Sequence, residues 1–238
     1  MTMSEKKPTA LLVHGAFADG GSWAGVIAEL ENRGITAIAV PNDLTGAAAD
    51  GRKVAALARE IDGPVVLVGH SYGGAVITSA ANDADNVTAL VYVTAFALDE
   101  GEGLLELLGR FPANELGTSL APHQFGDDTY LSIVEDKFPE IFAADVPAGQ
   151  SRVMARSQRP IAAAAFEEKS GAASWKRLPS YYLVATADNA IPVEAQRAMA
   201  ERAGSKTTEV DASHAVAVSQ PLAVAEFVAS AVEAGAAR

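Results

Sequence analysis

The strongest chemical signal in the sequence is the run Gly69-His70-Ser71-Tyr72-Gly73-Gly74. It follows the apolar stretch Val65–Val68, which has the length and β-branched content of a strand, and it leads into a segment of helical periodicity. A serine with glycines two places before and two after, at a strand–turn–helix junction, is presented for nucleophilic attack. The turn is so sharp that the serine backbone is strained, and the glycines let strand and helix approach closely. The hydroxyl then stands at the carboxyl edge of a sheet, beside the positive end of a helix dipole.

A serine hydroxyl is a weak nucleophile until a base takes its proton, and the base needs a third group to fix its tautomer. After a turn of this kind the expected chain order is serine, acid, histidine. Of the four histidines only His214, in Asp211-Ala-Ser-His214, lies beyond the last predicted strand, on a loop that returns to the carboxyl edge. His14 and His70 flank glycines at strand ends and read as turn or packing residues, and His123 reads as solvated. For the acid, Asp188 in Thr186-Ala-Asp188-Asn-Ala-Ile-Pro192 falls just past a strand end. Asp211 is its rival, but three residues from the histidine on the same loop it reads as a turn or capping residue. Acyl transfer also needs donors aimed at the developing oxyanion, each worth roughly 2.7–4 kcal/mol. Tyr72 N–H supplies one, and the loop His14-Gly15-Ala16-Phe17 supplies the other through Ala16 N–H or, alternatively, Phe17 N–H.

These side chains must be positioned by elements that alternate regularly. Strands are predicted at Ala10–Val13, Thr36–Val40, Val65–Val68, Ala89–Val93, Tyr181–Ala185 and Thr207–Val210. Helices are predicted near Trp23–Asn32, Ala47–Ile61, Gly73–Ala81, Val193–Arg202 and Pro221–Ala234, with Gly34 and Gly204 as stops and Pro192 and Pro221 near starts. Repeated βα units of this kind build an α/β fold with a mostly parallel sheet of about six strands and helices on both faces. Between Phe96 and Leu178 the alternation lapses, and we read an insertion there, a helical cap over an apolar pocket within a single domain spanning 1–238. Phe96, Phe111, Phe125, Phe138, Phe142, Phe166 and Trp175 fall in it. Some should pack the insertion's own core and a minority should touch substrate, with Phe17 and Trp175 as the candidate pocket residues.

Composition narrows the function classes. With 18 basic against 30 acidic residues the net charge is −12, which repels phosphate backbones and anionic lipid surfaces. There is no cysteine, so disulfides, thiolate metal sites and cysteine nucleophiles are excluded, and a cytoplasmic address fits. The start, Met1–Pro8, carries Glu5, Lys6 and Lys7 and is unlike a secretory leader, and no apolar run reaches the 18 or more residues that a membrane helix needs.

With the nucleophile turn, acid, base and oxyanion loop in place, the sequence resembles the α/β-hydrolase superfamily over nearly the whole chain. Within it the likeness is to the branch of plant-type esterases and hydroxynitrile lyases with their bacterial relatives. The resemblance is carried by Leu12-Val13-His14-Gly15-Ala16, Gly21-Ser22-Trp23, Val66–Gly74, Asp188 and His214. It implies no cofactor and no metal. Because the first strand begins within ten residues of the start, the fold's initial antiparallel strands are expected to be missing. Lyases of this branch carry a lysine after the histidine and a threonine after the first-strand histidine. Here those places hold Ala215 and Gly15, which disfavours cyanohydrin cleavage, and Ser71 disfavours a dehalogenase. The expected function is hydrolysis of small to medium, largely apolar carboxylic esters, a small-molecule substrate with no nucleic acid or membrane partner. A homodimer is compatible with the sequence. Amide or lactone hydrolysis and perhydrolysis use the same triad, and a ligand receptor on this fold is the alternative from a different class.

Overall fold

The structure, a computed structural model, describes residues 8–236, so the charged segment 1–7 lies outside the described residues. In chain order it holds β1 (Thr9–Val13), α1 (Ala24–Asn32), β2 (Ala37–Val40), α2 (Ala47–Glu60), β3 (Val65–Ser71), α3 (Gly73–Ala80) and β4 (Val87–Ala95). After an intervening segment come β8 (Ser180–Ala185), α7 (Val193–Arg202), β9 (Lys206–Val210), α8 (Val216–Ser219) and α9 (Pro221–Ala236). The segment between contains α4 (Leu104–Leu108), β5 (Leu120–Phe125), β6 (Asp128–Ile133), α5 (Phe138–Phe142), α6 (Ala148–Ser157) and β7 (Ile161–Ala162).

Six strands form one sheet in the order β2-β1-β3-β4-β8-β9, and every pairing in it is parallel. Alternate residues of each inner strand serve opposite faces. Val66 and Val68 pack with Trp23, Leu30 and Val228, on the side of α1 and α9. Val65 and Leu67 pack with Val54, Ala55 and Ile77, on the side of α2 and α3. Both faces are therefore covered, which is why the inner strands read as unbroken apolar runs. The edge strand β9 has largely exposed residues, Lys206-Thr-Thr-Glu209, which suits a rim that must not recruit another strand. The chain order reverses between β1 and β3. A parallel sheet opens a crevice at the carboxyl ends of its strands at such a point.

The intervening segment differs from the helical cap expected. Besides three short helices it holds a three-stranded antiparallel sheet, β5-β6-β7, in which Leu120 pairs with Ile133 and Phe125 with Asp128. The segment is stitched to the loops that follow β2 and β1 by backbone bonds, Ala162 N–H to Leu44 O at 2.9 Å and Phe17 N–H to Arg159 O at 3.0 Å. Among the described residues no helix is long and apolar enough to cross a membrane.

Candidate active site

Ser71 ends β3, and Tyr72 begins the turn into α3. The serine has φ +53°, a left-handed conformation that costs a non-glycine residue about 1–3 kcal/mol and persists only where surrounding packing enforces it. Two glycines make the crowding tolerable. A Cβ on Gly69 would lie 2.5 Å from Gly73 O, and one on Gly15 would lie 2.6 Å from Ser71 Cβ, so the first-strand loop runs directly against the serine. The phenol of Tyr72 is anchored below the turn, donating to Asp50 Oδ2 at 2.8 Å. Burial first and the Asp50 carboxylate second push this phenol far above its ordinary pKa, so it remains a donor.

Asp188 follows β8 and is deeply embedded. Its Oδ1 accepts Ala190 N–H at 2.7 Å and Ile191 N–H at 2.9 Å, while Oδ2 accepts Gln196 Nε2 at 3.0 Å and the hydroxyl of Thr94. The same Oδ2 meets His214 Nδ1 at 2.7 Å, and both side chains are almost wholly removed from solvent. Burial alone would raise the carboxyl's pKa, but the imidazole of His214 and the hydrogen bonds from His214, Thr94 and Ile191 outweigh it. The net position is below the usual carboxylate value. A carboxylate can only accept, so Nδ1 of His214 donates to it and Nε2 is the ring nitrogen left to face the cavity.

Ser71 and His214 line the same cavity, together with Ala16, Phe17, Tyr72, Phe96, Leu104, Leu108, Leu116, Phe142, Ile161, Phe166, Ala190 and Ile191. Among the described residues no protein hydrogen bond engages Ser71 Oγ. Contacts of this kind are often long in unliganded sites and tighten around substrate. The loop bearing His214 is held from two sides. Ala215 N–H donates to Phe142 O at 2.8 Å, and the Phe142 ring meets the imidazole edge-on at 4.8 Å. From below, His70 Nε2 lies 2.8 Å from the carbonyl of His214. That carbonyl only accepts, so His70 donates through Nε2. Burial, with help from the nearby His214, lowers its pKa to about 3.

The structure sorts the remaining candidates. Phe17 N–H is occupied by Arg159 O, whereas Ala16 N–H and Tyr72 N–H have no protein acceptor among the described residues. Asp211 is exposed and takes no part in the cluster. His14 is buried and turned away, its Nδ1 on Gly15 O at 2.9 Å, and exposed His123 bonds Ser132 Oγ within the β5–β6 hairpin. Of the insertion aromatics, Phe96, Phe142 and Phe166 reach the cavity, while Phe138 stacks on Phe142 and Phe125 is exposed. Trp175 is corrected: it does not line the cavity. Its Nε1 donates to Leu98 O at 2.9 Å, and the guanidinium of Arg202 and the ammonium of Lys176 lie over its ring, which fix it as a strut behind β4. Sequence reasoning missed Thr94 and Gln196 as partners of Asp188. A buried glutamine on the first turns of the otherwise amphipathic α7 was the available signal for the second.

The chain belongs to the alpha/beta hydrolase family, whose model matches residues 10–227. A pyrethroid hydrolase of Sphingobium wenxiniae is 28% identical over 259 aligned positions, which cover 92% of this chain and 85% of that enzyme. A carbendazim hydrolyzing esterase of a Nocardioides species is 50% identical over 52 residues, 21% of either chain, so the matched part spans about a fifth of that relative. Among solved structures, polyneuridine aldehyde esterase superposes with a TM-score of 0.82 at 18% identity, covering 95% of this chain and 99% of that one, which is a likeness of fold.

Proposed function

We propose that this protein is a carboxylic ester hydrolase that cleaves small to medium, largely apolar esters through an acyl-enzyme on Ser71. His214 Nε2 takes the proton from Ser71 Oγ as the oxygen bonds to the ester carbonyl carbon. Asp188 stabilises the imidazolium, and the backbone N–H groups of Ala16 and Tyr72 receive the oxyanion. The bond to the alcohol oxygen then breaks, His214 returns the proton to that oxygen, and water repeats the sequence to release the acid. The observation that carries this reading is the buried Asp188–His214 pair at 2.7 Å, opening on the cavity that also holds a strained Ser71. Occupation of Phe17 N–H favours Ala16 over Phe17 as the second donor. Relatives that are hydrolases and esterases support the ester class. The absence of cysteine supports a cytoplasmic workplace, and the charge of −12 supports a neutral small molecule rather than nucleic acid or an anionic membrane as the partner.

The test is turnover of short-chain p-nitrophenyl esters by purified protein. Activity is expected in the wild type and is expected to vanish in Ser71→Ala. A variant that stays active would remove Ser71 from the mechanism.

A further inference from the structure

The space beside Ser71 is small for an ester of any length, about 380 Å³ including its mouth. A second space of about 820 Å³, its open mouth included, lies beyond it, walled by α4, by residues 109, 111–114, 116 and 117, and by Pro192. Leu108, Leu116 and Phe166 line both, so the two spaces are separated by the same three side chains. The wall of the outer groove consists of leucine, phenylalanine, proline, alanine and glycine with one asparagine, and it carries no charge. Both ends of that asparagine are already engaged: Asn114 Nδ2 donates to Ala190 O at 2.7 Å, and Oδ1 accepts Leu116 N–H at 3.2 Å.

We propose that this groove holds the larger, uncharged apolar group of the ester, and that Leu108, Leu116 and Phe166 are the partition that group displaces when the carbonyl reaches Ser71. The proposal rests on Ser71 being the nucleophile. A charged group entering the groove would lose its hydration and find no partner, which is strongly unfavourable. A methylene entering it gains up to about fourfold in binding. The substrate class is therefore narrower than the triad alone implies: esters with one neutral, extended or bulky apolar arm, to the exclusion of esters whose long arm ends in a carboxylate, phosphate or ammonium. The groove's mouth is exposed at Leu105 and Ala113, so substitutions there alter it without touching the core.

Two variants test this, Ala113→Trp, which fills the groove, and Leu105→Lys, which charges its mouth. Each is measured with p-nitrophenyl octanoate against acetate for a long acyl arm, and with octyl against methyl butyrate for a long alcohol arm. In one of the two series the long-to-short ratio of kcat/KM is expected to fall at least fivefold in both variants, and the series affected tells which arm the groove takes. A calorimetric titration with the non-hydrolysable ketone 2-nonanone on Ser71→Ala protein repeats the comparison without chemistry, and the same variants should weaken binding at least fivefold. Ratios and ketone affinity that both stay put overturn the groove while leaving the nucleophile standing. Weakened ketone binding in a protein whose Ser71 proves dispensable keeps the groove and discards the nucleophile.

Discussion

The carboxyl edge of the sheet and the insertion that covers it differ in how tightly each is held. At the edge, Phe17, Leu44, Ser71 and Thr94 have φ of +62°, +62°, +53° and +40°, and they stand at or just past the ends of β1, β2, β3 and β4. Four neighbouring strands thus each have, at their carboxyl end or in the loop that follows it, one residue that costs about 1–3 kcal/mol for its conformation, strain that dense packing and buried hydrogen bonds sustain. In the insertion, among the described residues, left-handed positions fall to Gly101 and Gly126, the helices are short, and Leu105, Phe125 and Val153 lie largely exposed. The difference separates two tasks. Under the proposed mechanism, bond making falls where the backbone is strained and densely packed, whereas the walls that meet the rest of the substrate fall on side chains that can change without disturbing the edge.

If the edge holds the chemistry, substitutions there should act on kcat with KM little moved, and the largest effect after loss of Ser71 should come from Asp188→Asn. An amide in that place favours the wrong imidazole tautomer, so kcat should drop about 10³–10⁴-fold while the protein stays folded. A smaller effect should come from beneath the nucleophile. Tyr72→Phe removes the bond to Asp50 and lets the turn bearing the Tyr72 amide relax, so kcat should fall about tenfold, corresponding to about 1.4 kcal/mol of transition-state stabilisation. Asp50→Asn keeps an acceptor oxygen for the phenol and should retain most of the rate. Equal losses in the two variants would show that the hydrogen bond is not what matters.

The last effect leaves the rate at neutral pH alone and concerns stability. His70 titrates at its ordinary 6.5 in the unfolded chain and at about 3 in the folded one. Between those values the unfolded chain binds a proton that the native protein refuses, so stability is fully present above pH 6.5 and is lost as pH falls toward 3. The slope from this group reaches about 1.4 kcal/mol per pH unit. Chemical denaturation across that range should show a shallower acid loss in His70→Gln than in the wild type. Parallel curves would mean that His70 is not the source. The insertion provides the contrast: Ala113→Trp should shift substrate preference while leaving this pH dependence where it was.

The edge was legible in the sequence because each part of it is local. The nucleophile turn, the apolar runs before it and the glycines that relieve crowding lie within a few residues of one another, and the predicted strands match those observed to within two residues at most ends. Asp188 and His214 were legible because a parallel sheet sends every strand end to the same rim. What escaped was long-range or weakly patterned. Thr94 reaches Asp188 across 94 positions of chain, and nothing in a strand-end threonine announces that distant partner. The β5–β6 hairpin has a usable turn signal in Gly126-Asp127, but β5 is largely exposed and carries Pro122, His123 and Gln124, so the alternation that marks a half-buried strand is absent from it. Trp175 was misread for the converse reason. A large aromatic in an insertion looks like a pocket wall until the carbonyl of Leu98 and two cations are seen to claim it.

In the proposed mechanism Ser71 carries the acyl group between the two halves of the reaction, which rapid-quench mass spectrometry of the protein during turnover of p-nitrophenyl butyrate would reveal. The expected result is a transient butyryl adduct on the peptide containing Ser71, absent from Ser71→Ala protein, which should release no p-nitrophenol above background. Steady release of p-nitrophenol by the Ser71→Ala protein, with no adduct on the wild-type peptide, would contradict it.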